Sequence, residues 1–179
     1  MRKHHGWTMI EIVLVITILA LLLAAALPGF SRARERADLR LSAVSFGEDL
    51  RRAFVLAIAR DQRVVFCPLA DPGAEHCGSG SAFDHGWLAF YDEDGDRERS
   101  PSEPILLRNA PSSPHLRIRS SEGRPRVVIQ PDGGNRGTNA TFLVCGRLGV
   151  ATATSVVLSN DGRIRYAQPS PVQVAERCR

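Results

Sequence analysis

The residue best placed to do chemistry near the start of this chain is a lone carboxylate, Glu11, inside a long apolar run. From Ile12 to Leu27 only Thr17 is polar. Placing a charged side chain at the centre of a bilayer costs about 2.5–3.5 kcal/mol of free energy or more, so such a residue usually has a function. A helix from Met9 to Leu27 would measure ~28 Å, which is enough to cross the hydrocarbon core.

The spacings around Glu11 resemble the N-terminus of type IV pilins and type II secretion pseudopilins. Gly6 precedes the apolar run, Glu11 is the fifth residue after it, and Pro28 is the twenty-second. The resemblance implies that a prepilin peptidase cuts between Gly6 and Trp7 and that the new amino group of Trp7 is methylated. It also implies that Glu11 guides assembly into a helical filament.

Trp7 departs from the phenylalanine or methionine usual at this position in the family, but it is also large and apolar. Its free amine could pair with Glu11 of a neighbouring subunit and so set the axial register. Arg2 and Lys3 in the leader would hold residues 1–6 on the cytoplasmic side.

Two simpler interpretations of the apolar run stand beside this one. A secretory signal peptide would be cut near Ala24–Ala26, and a plain single-span anchor would carry Glu11 by chance. The run is long for a signal peptide, and a helical pattern continues beyond it, which a discarded signal would not need.

The continuing pattern divides the chain into parts. Pro28 should kink the helix, because proline removes a helical hydrogen bond, and the pattern resumes at Ser31 and runs to about Gln62. Apolar residues recur there at steps of three or four and form one stripe for packing on a globular domain: Leu39, Ala43, Phe46, Leu50, Phe54 and Ala57. The predicted parts are a leader (1–6), a transmembrane or filament-core half-helix (7–28), an amphipathic half-helix (29–62) and a periplasmic β-rich head (63–179).

Short strands separated by turn signals fill the head. They are predicted at Arg63–Cys67, Trp87–Asp92, Ile105–Arg108, Leu116–Ser120, Arg126–Gln130, Thr141–Cys145, Ser155–Ser159 and Arg163–Tyr166. The tail from Gln168 is predicted to be irregular and held by Cys178. These elements give an α+β fold with a long N-terminal α-helix packed on an antiparallel β-sheet head.

Six segments appear in an order similar to that of the GspH/FimT family of minor pilins: RVVFCP, GWLAFYDEDGD, EPILLR, a Pro-Asp-Gly turn, TFLVC and NDGRIR. The resemblance covers nearly the whole chain. It implies the type IV pilin-like fold and a structural role near the tip of a type IV pilus or a type II secretion pseudopilus. The implied partners are other pilins, the prepilin peptidase and the inner membrane. Members of one branch of the family cap the secretion pseudopilus. Some members of the other branch take up DNA through a C-terminal Gly-Arg-x-Arg motif.

This chain has that motif as Gly162-Arg163-Ile164-Arg165. In a strand, the two arginines would share one face and Ile164 would point to the other. Guanidinium groups about 7 Å apart roughly match successive phosphates of a nucleic-acid strand. The simpler interpretation is a solvated strand face without a ligand. Weaker candidates for the same DNA-binding surface are Arg147, Arg117 and Arg119.

The charge distribution is uneven, although the net charge is only +4. Acidic residues dominate from Asp71 to Glu103, and arginines dominate from His115 onward. This separation predicts either a polyanionic partner or a complementary neighbour in an assembly. Few aromatic residues lie near the arginines, so any DNA binding should be electrostatic and salt-sensitive.

Four cysteines in the head indicate disulfides if the head lies in an oxidising compartment. Three pairings are possible. Cys67 and Cys77 flank a loop with a proline and two glycines, which favours a local bridge and leaves Cys145 with Cys178. The alternative is a zinc site with His76, but the chain has no short Cys-x-x-Cys pair.

Other patterns argue against metal binding and catalysis. The segment 92–96, Asp-Glu-Asp-Gly-Asp, has its glycine too early for an EF-hand loop and is predicted to be an acidic hairpin turn. The histidines of the head have no motif partners, and no Gly-x-Ser-x-Gly, Walker or His-Glu-x-x-His motif occurs. We therefore predict no enzyme activity, no cofactor and no metal.

Overall fold

The computed structural model of this protein describes residues 8–147 and 149–178. The predicted cleavage pair, Gly6 and Trp7, lies outside the described residues. The chain divides into two compact units, Met1–Arg36 and Ala37–Arg179. Helix α1 extends from Met9 to Arg60.

Helix α1 begins after Thr8, which caps it. The Glu11 N–H donates to the Thr8 hydroxyl (3.4 Å) and to the Thr8 carbonyl (3.1 Å), so two acceptors serve an amide that has no partner inside the helix. The helix continues through Pro28 and Gly29, so the loss of one backbone donor does not end it. A kink at Pro28 stays a prediction.

In the first unit, the side chains from Met9 to Leu23 are exposed. Within the described residues, α1 is the one helix long and apolar enough to cross a membrane by length and composition.

In the second unit, all eight predicted strands are present with ends shifted by no more than two residues. They are β1 Val64–Pro68, β2 Trp87–Tyr91, β3 Ile105–Asn109, β4 Arg117–Arg119, β5 Val127–Ile129, β6 Ala140–Cys145, β7 Ala153–Leu158 and β8 Ile164–Ala167. They form two antiparallel sheets, ordered β3-β2-β1-β5 and β4-β6-β7-β8.

The C-terminal tail contains a helix, so the prediction of an irregular tail is wrong. Helix α2 extends from Pro171 to Arg177. Ser170 and Gln173 form a reciprocal capping box, in which the Ser170 hydroxyl accepts the Gln173 N–H and the Gln173 side chain accepts the Ser170 N–H. Pro171 at the first helical position has its φ already set for the helix.

The core of the second unit lies between α1 and the inner faces of both sheets. Phe46 on α1 is fully buried at its centre. Its ring lies 5.4 Å from that of Phe66 and 4.9 Å from that of Trp87 on one sheet, and 4.7 Å from that of Phe142 on the other. One helix face therefore joins both sheets, and this packing positions the loops and strand edges described next.

Candidate functional site

The turn between β7 and β8 fixes the start of the arginine motif, and it does so through Gly162. This glycine has φ of +72°, which strains any other residue. Its N–H donates to Asn135 Oδ1 at 3.0 Å. A Cβ at this position would lie 2.8 Å from Cε1 of Phe54 on α1 and 3.1 Å from the Gly133 carbonyl. Only glycine therefore lets the turn sit against the helix.

Strand β8 directs its first residue toward the core and leaves the next three exposed. Ile164 is half-buried against the main core. Tyr166 covers Gly47 of α1, where a Cβ would come within 3.1 Å of the tyrosine Cζ. Arg163 and Arg165 are exposed. The motif thus has a backbone held on α1 and two arginines directed away from the core.

The tyrosine has a perturbed environment. Partial burial raises the pKa of Tyr166, the Glu48 carboxylate raises it further, and the Arg51 guanidinium opposes this. Arg51 donates a hydrogen bond to Glu48, which raises the pKa of the arginine. Position 166 therefore favours the neutral phenol, so Tyr166 adds no negative charge beside the arginines.

A shallow cavity of about 470 Å³ lies beside Arg165 on the outer face of the second sheet. Thr141, Val157 and Arg165 are consecutive partners across β6, β7 and β8, and they line the cavity. Asp161 lines it too, so one carboxylate stands close to the arginine motif.

The five candidate arginines do not form one surface in the structure, and only some of them lie close to one another. Strands β4 and β8 are opposite edges of the second sheet, about 14 Å apart over three strand spacings. Arg163 and Arg165 belong to the β8 edge. Arg117 and Arg147 line a separate cavity of about 380 Å³ next to the Cys145–Cys178 pair.

The fifth candidate, Arg119, is engaged inside the head. Its guanidinium pairs with Asp84, whose carboxylate also accepts the Ile118 N–H at 2.9 Å. Arg119 therefore ties β4 to the segment before β2, and its charge is already compensated.

Within the described residues, the cysteines form the two predicted disulfides, Cys67–Cys77 and Cys145–Cys178, with S–S distances of 2.08 and 1.93 Å. The alternative zinc site with His76 is therefore wrong, because the sulfurs it would use are bonded to one another.

The acidic segment is a turn held by its own backbone. The Asp92 carboxylate pairs with Arg63 Nε at 2.9 Å and accepts the Gly95 N–H at 2.9 Å. Asp92, Asp94 and Asp96 offer oxygens within 4.8 Å of one another. Asp92 thus has partners inside the head, and the segment lies in the connection between β2 and β3; that it binds no metal stays a prediction.

Glu11 is exposed at the third position of α1. A threonine cap with a glutamate three residues on is also an ordinary helix start, since a carboxylate there interacts favourably with the helix dipole. Thr8 and Glu11 thus have a local structural role that the sequence interpretation overlooked; the assembly role of Glu11 stays a prediction.

Comparisons with known proteins agree with this architecture. The family model described as Type II transport protein GspH matches residues 42–162, and the one described as Prokaryotic N-terminal methylation motif matches residues 1–27. The chain belongs to the GspH family and is a GspH/FimT-like minor pilin or pseudopilin, a class of filament subunit that assembles with other pilins and is not an enzyme.

Two crystal structures of the type IV minor pilin FimU from Pseudomonas aeruginosa are similar to this chain, each with a TM-score of 0.56. One is 15% identical and aligns over 78% of this chain and 99% of FimU; the other is 16% identical and aligns over 81% and 98%. They show the type IV pilin fold. No curated protein matches the chain.

Proposed function

We propose that this chain is a minor pilin of a type IV pilus that binds DNA through Arg163 and Arg165 near the filament tip. Its residues 1–6 are removed by the prepilin peptidase after Gly6, and Trp7 is methylated. Before assembly, the apolar half of α1 holds the protein in the inner membrane with the head in the periplasm.

The observation that carries the DNA-binding proposal is the way in which the motif is held. Gly162 and Tyr166 fix the backbone against α1 on either side of the two arginines, while both guanidinium groups face solvent. Because the fold already fixes this backbone, it loses less conformational entropy when a ligand binds. Arginine on such a support contacts phosphate in bidentate geometry, and the binding is electrostatic.

The DNA-binding proposal is tested by gel shift with the full-length protein in non-ionic detergent and duplex DNA across a salt series. Replacing Arg163 and Arg165 by alanine should weaken binding and reduce the slope of log K against log salt by about 2, since each phosphate contact contributes ~0.9. The matched control replaces Arg40 on α1 and Arg108 on β3, two exposed arginines outside the second sheet, by alanine, which removes the same charge elsewhere. An equal loss in both variants, or no binding by the native protein, refutes the proposal.

The assembly role of Glu11 has its own test. Glu11→Ala should insert into the membrane normally but be absent from sheared pili, because it cannot pair with the amine of a neighbouring subunit. Thr8→Ala is the control, because it removes the helix cap, worth about 1 kcal/mol, and leaves the carboxylate. Normal incorporation of Glu11→Ala, or equal loss in both variants, contradicts the assembly role.

The second candidate function is a structural cap of a type II secretion pseudopilus that binds no DNA. The carboxylate of Asp161 beside Arg165 favours it, since it offsets the field that phosphate would experience. In this case, a deletion strain should lose protein secretion, and the Arg163→Ala/Arg165→Ala variant should restore it fully.

A further inference from the structure

The two disulfides lie in contrasting surroundings. Cys67 and Cys77 are buried among apolar side chains, including Leu88, Phe90 and Val128. Cys145 and Cys178, in contrast, line the cavity of about 380 Å³ that also contains Arg117 and Arg147. A reagent in solution can therefore approach one bridge through a cationic cavity, whereas apolar groups cover the other.

The register of the second sheet places a cation directly beside one of these sulfurs. Arg117 on β4 is the cross-strand partner of Cys145 on β6. Directly opposed side chains in an antiparallel pair have Cβ atoms about 4.5–5.5 Å apart. Arg147 follows Cys145 by two residues and lines the same cavity. Guanidinium groups stabilise a thiolate, so Cys145 is a good leaving group in thiol–disulfide exchange.

The bridge is also a covalent attachment of helix α2 to the second sheet. Val174 is the buried residue of this seven-residue helix. It packs with Leu143, Cys145 and Ala153 in a small cluster separate from the main core, and Cys178 is half-buried against it. A helix this short is not stable alone. Without the bridge, α2 would keep its capping box, its contacts with the 3-10 turn Gly149–Thr152 and the burial of Val174, which contributes about 1.5–3 kcal/mol at most.

We propose that Cys145–Cys178 is a thiol–disulfide exchange site for a dithiol reductant of the thioredoxin class, and that its reduction releases α2 from the second sheet. The reductant thiolate attacks Sγ of Cys178, the more accessible sulfur, and the S–S bond breaks with its electron pair on Cys145. The second thiol of the reductant then attacks the mixed disulfide and releases Cys178. The reductant leaves as a disulfide, and its two protons pass to Cys145 and Cys178.

The test treats full-length protein in detergent with graded dithiothreitol or reduced thioredoxin, followed by alkylation and peptide mass spectrometry. We expect Cys145–Cys178 to open at least tenfold faster than Cys67–Cys77, which serves as the internal control. Hydrogen exchange at the amides of 172–178 should rise when the bridge opens. Equal rates, faster opening of Cys67–Cys77, or unchanged exchange in α2 would overturn the proposal.

The role of the cations is tested separately. Arg117→Gln and Arg147→Gln should each slow reduction of Cys145–Cys178 by about threefold, because the leaving thiolate loses a neighbouring cation. Arg136→Gln, in a different loop, is the matched control and should leave the rate unchanged. Unchanged melting of the oxidised variants shows that they fold. Arginine variants that react at the native rate would refute the assignment of Cys145 as leaving group.

Discussion

Replacing Asp49 by alanine should destabilise the head, because this carboxylate joins α1 to the first sheet. Asp49 is 4% exposed. It accepts the indole N–H of Trp87 on β2 at 3.0 Å and the side-chain N–H of Asn109 on β3 at 3.0 Å. Arg52 lies 3.5 Å from its other oxygen. One side chain therefore serves two strands.

The size of the effect follows from where each donor lies. Trp87 is fully buried, so its N–H would lose a charge-assisted bond worth about 1.5–3 kcal/mol without replacement by water. Asn109 is exposed and can bond to water, so it adds about 0.5–1 kcal/mol. The pair with exposed Arg52 adds little. We expect a loss of about 2–4 kcal/mol in the free energy of unfolding.

Urea denaturation followed by far-UV circular dichroism measures this loss. The control is Glu48→Ala, which removes the neighbouring half-buried carboxylate and its pair with exposed Arg51, and should cost no more than about 1 kcal/mol. A double-mutant cycle with Trp87→Phe should give a coupling energy of about 1.5–3 kcal/mol. Equal stability of Asp49→Ala and Glu48→Ala, or additive effects in the cycle, would refute the reasoning.

Two further predictions concern the arginine motif. Gly162→Ala should lower the free energy of unfolding by about 2–3 kcal/mol, because the position has a positive φ and the added Cβ would clash with Phe54. The control is Gly123→Ala, which has a similar φ but open space around it and should cost about 1 kcal/mol. Equal melting curves for the two variants would contradict this prediction. Because burial and Glu48 raise the pKa of Tyr166, its contribution to stability should be complete below about pH 10 and lost as pH rises further. Denaturation midpoints measured above pH 10 should fall in the native protein and not in Tyr166→Phe. An equal fall in both proteins would contradict the prediction.

The strands could be predicted from sequence because each is a short apolar or alternating run bounded by turn residues. Their division into two sheets could not, because it depends on contacts between distant segments. Val64 on β1, for instance, pairs with Ile129 on β5, and nothing local to either residue specifies the other. The capping box of Ser170 and Gln173 is a sequence signal that could have predicted helix α2. The helix was not predicted because two prolines lie nearby and because seven residues are too few to show a helical periodicity.

For the candidate site, the alternation expected of a strand was enough to predict that Arg163 and Arg165 lie on the opposite face from Ile164; both are exposed, and Ile164 is half-buried. The support behind them was not predictable. Gly47 appears in the sequence as a weak point in a helix, and only the fold shows that Tyr166 occupies the space of its missing side chain. The engagement of Arg119 likewise depends on Asp84, which lies 35 residues away in sequence.

The charge separation along the sequence acquires a different meaning in the fold. Acidic residues of the first half of the head pair with arginines of the second half, as Asp84 does with Arg119 and Glu98 with Arg126. Part of the basic surface predicted for a polyanion is therefore neutralised within one head. Among residues 8–147 and 149–178, the described ion pairs do not include Arg163 or Arg165. The proposed phosphate contacts of these two side chains should set the salt dependence of DNA binding, at about 0.9 per contact, and the arginines that are already paired within the head should not add to it.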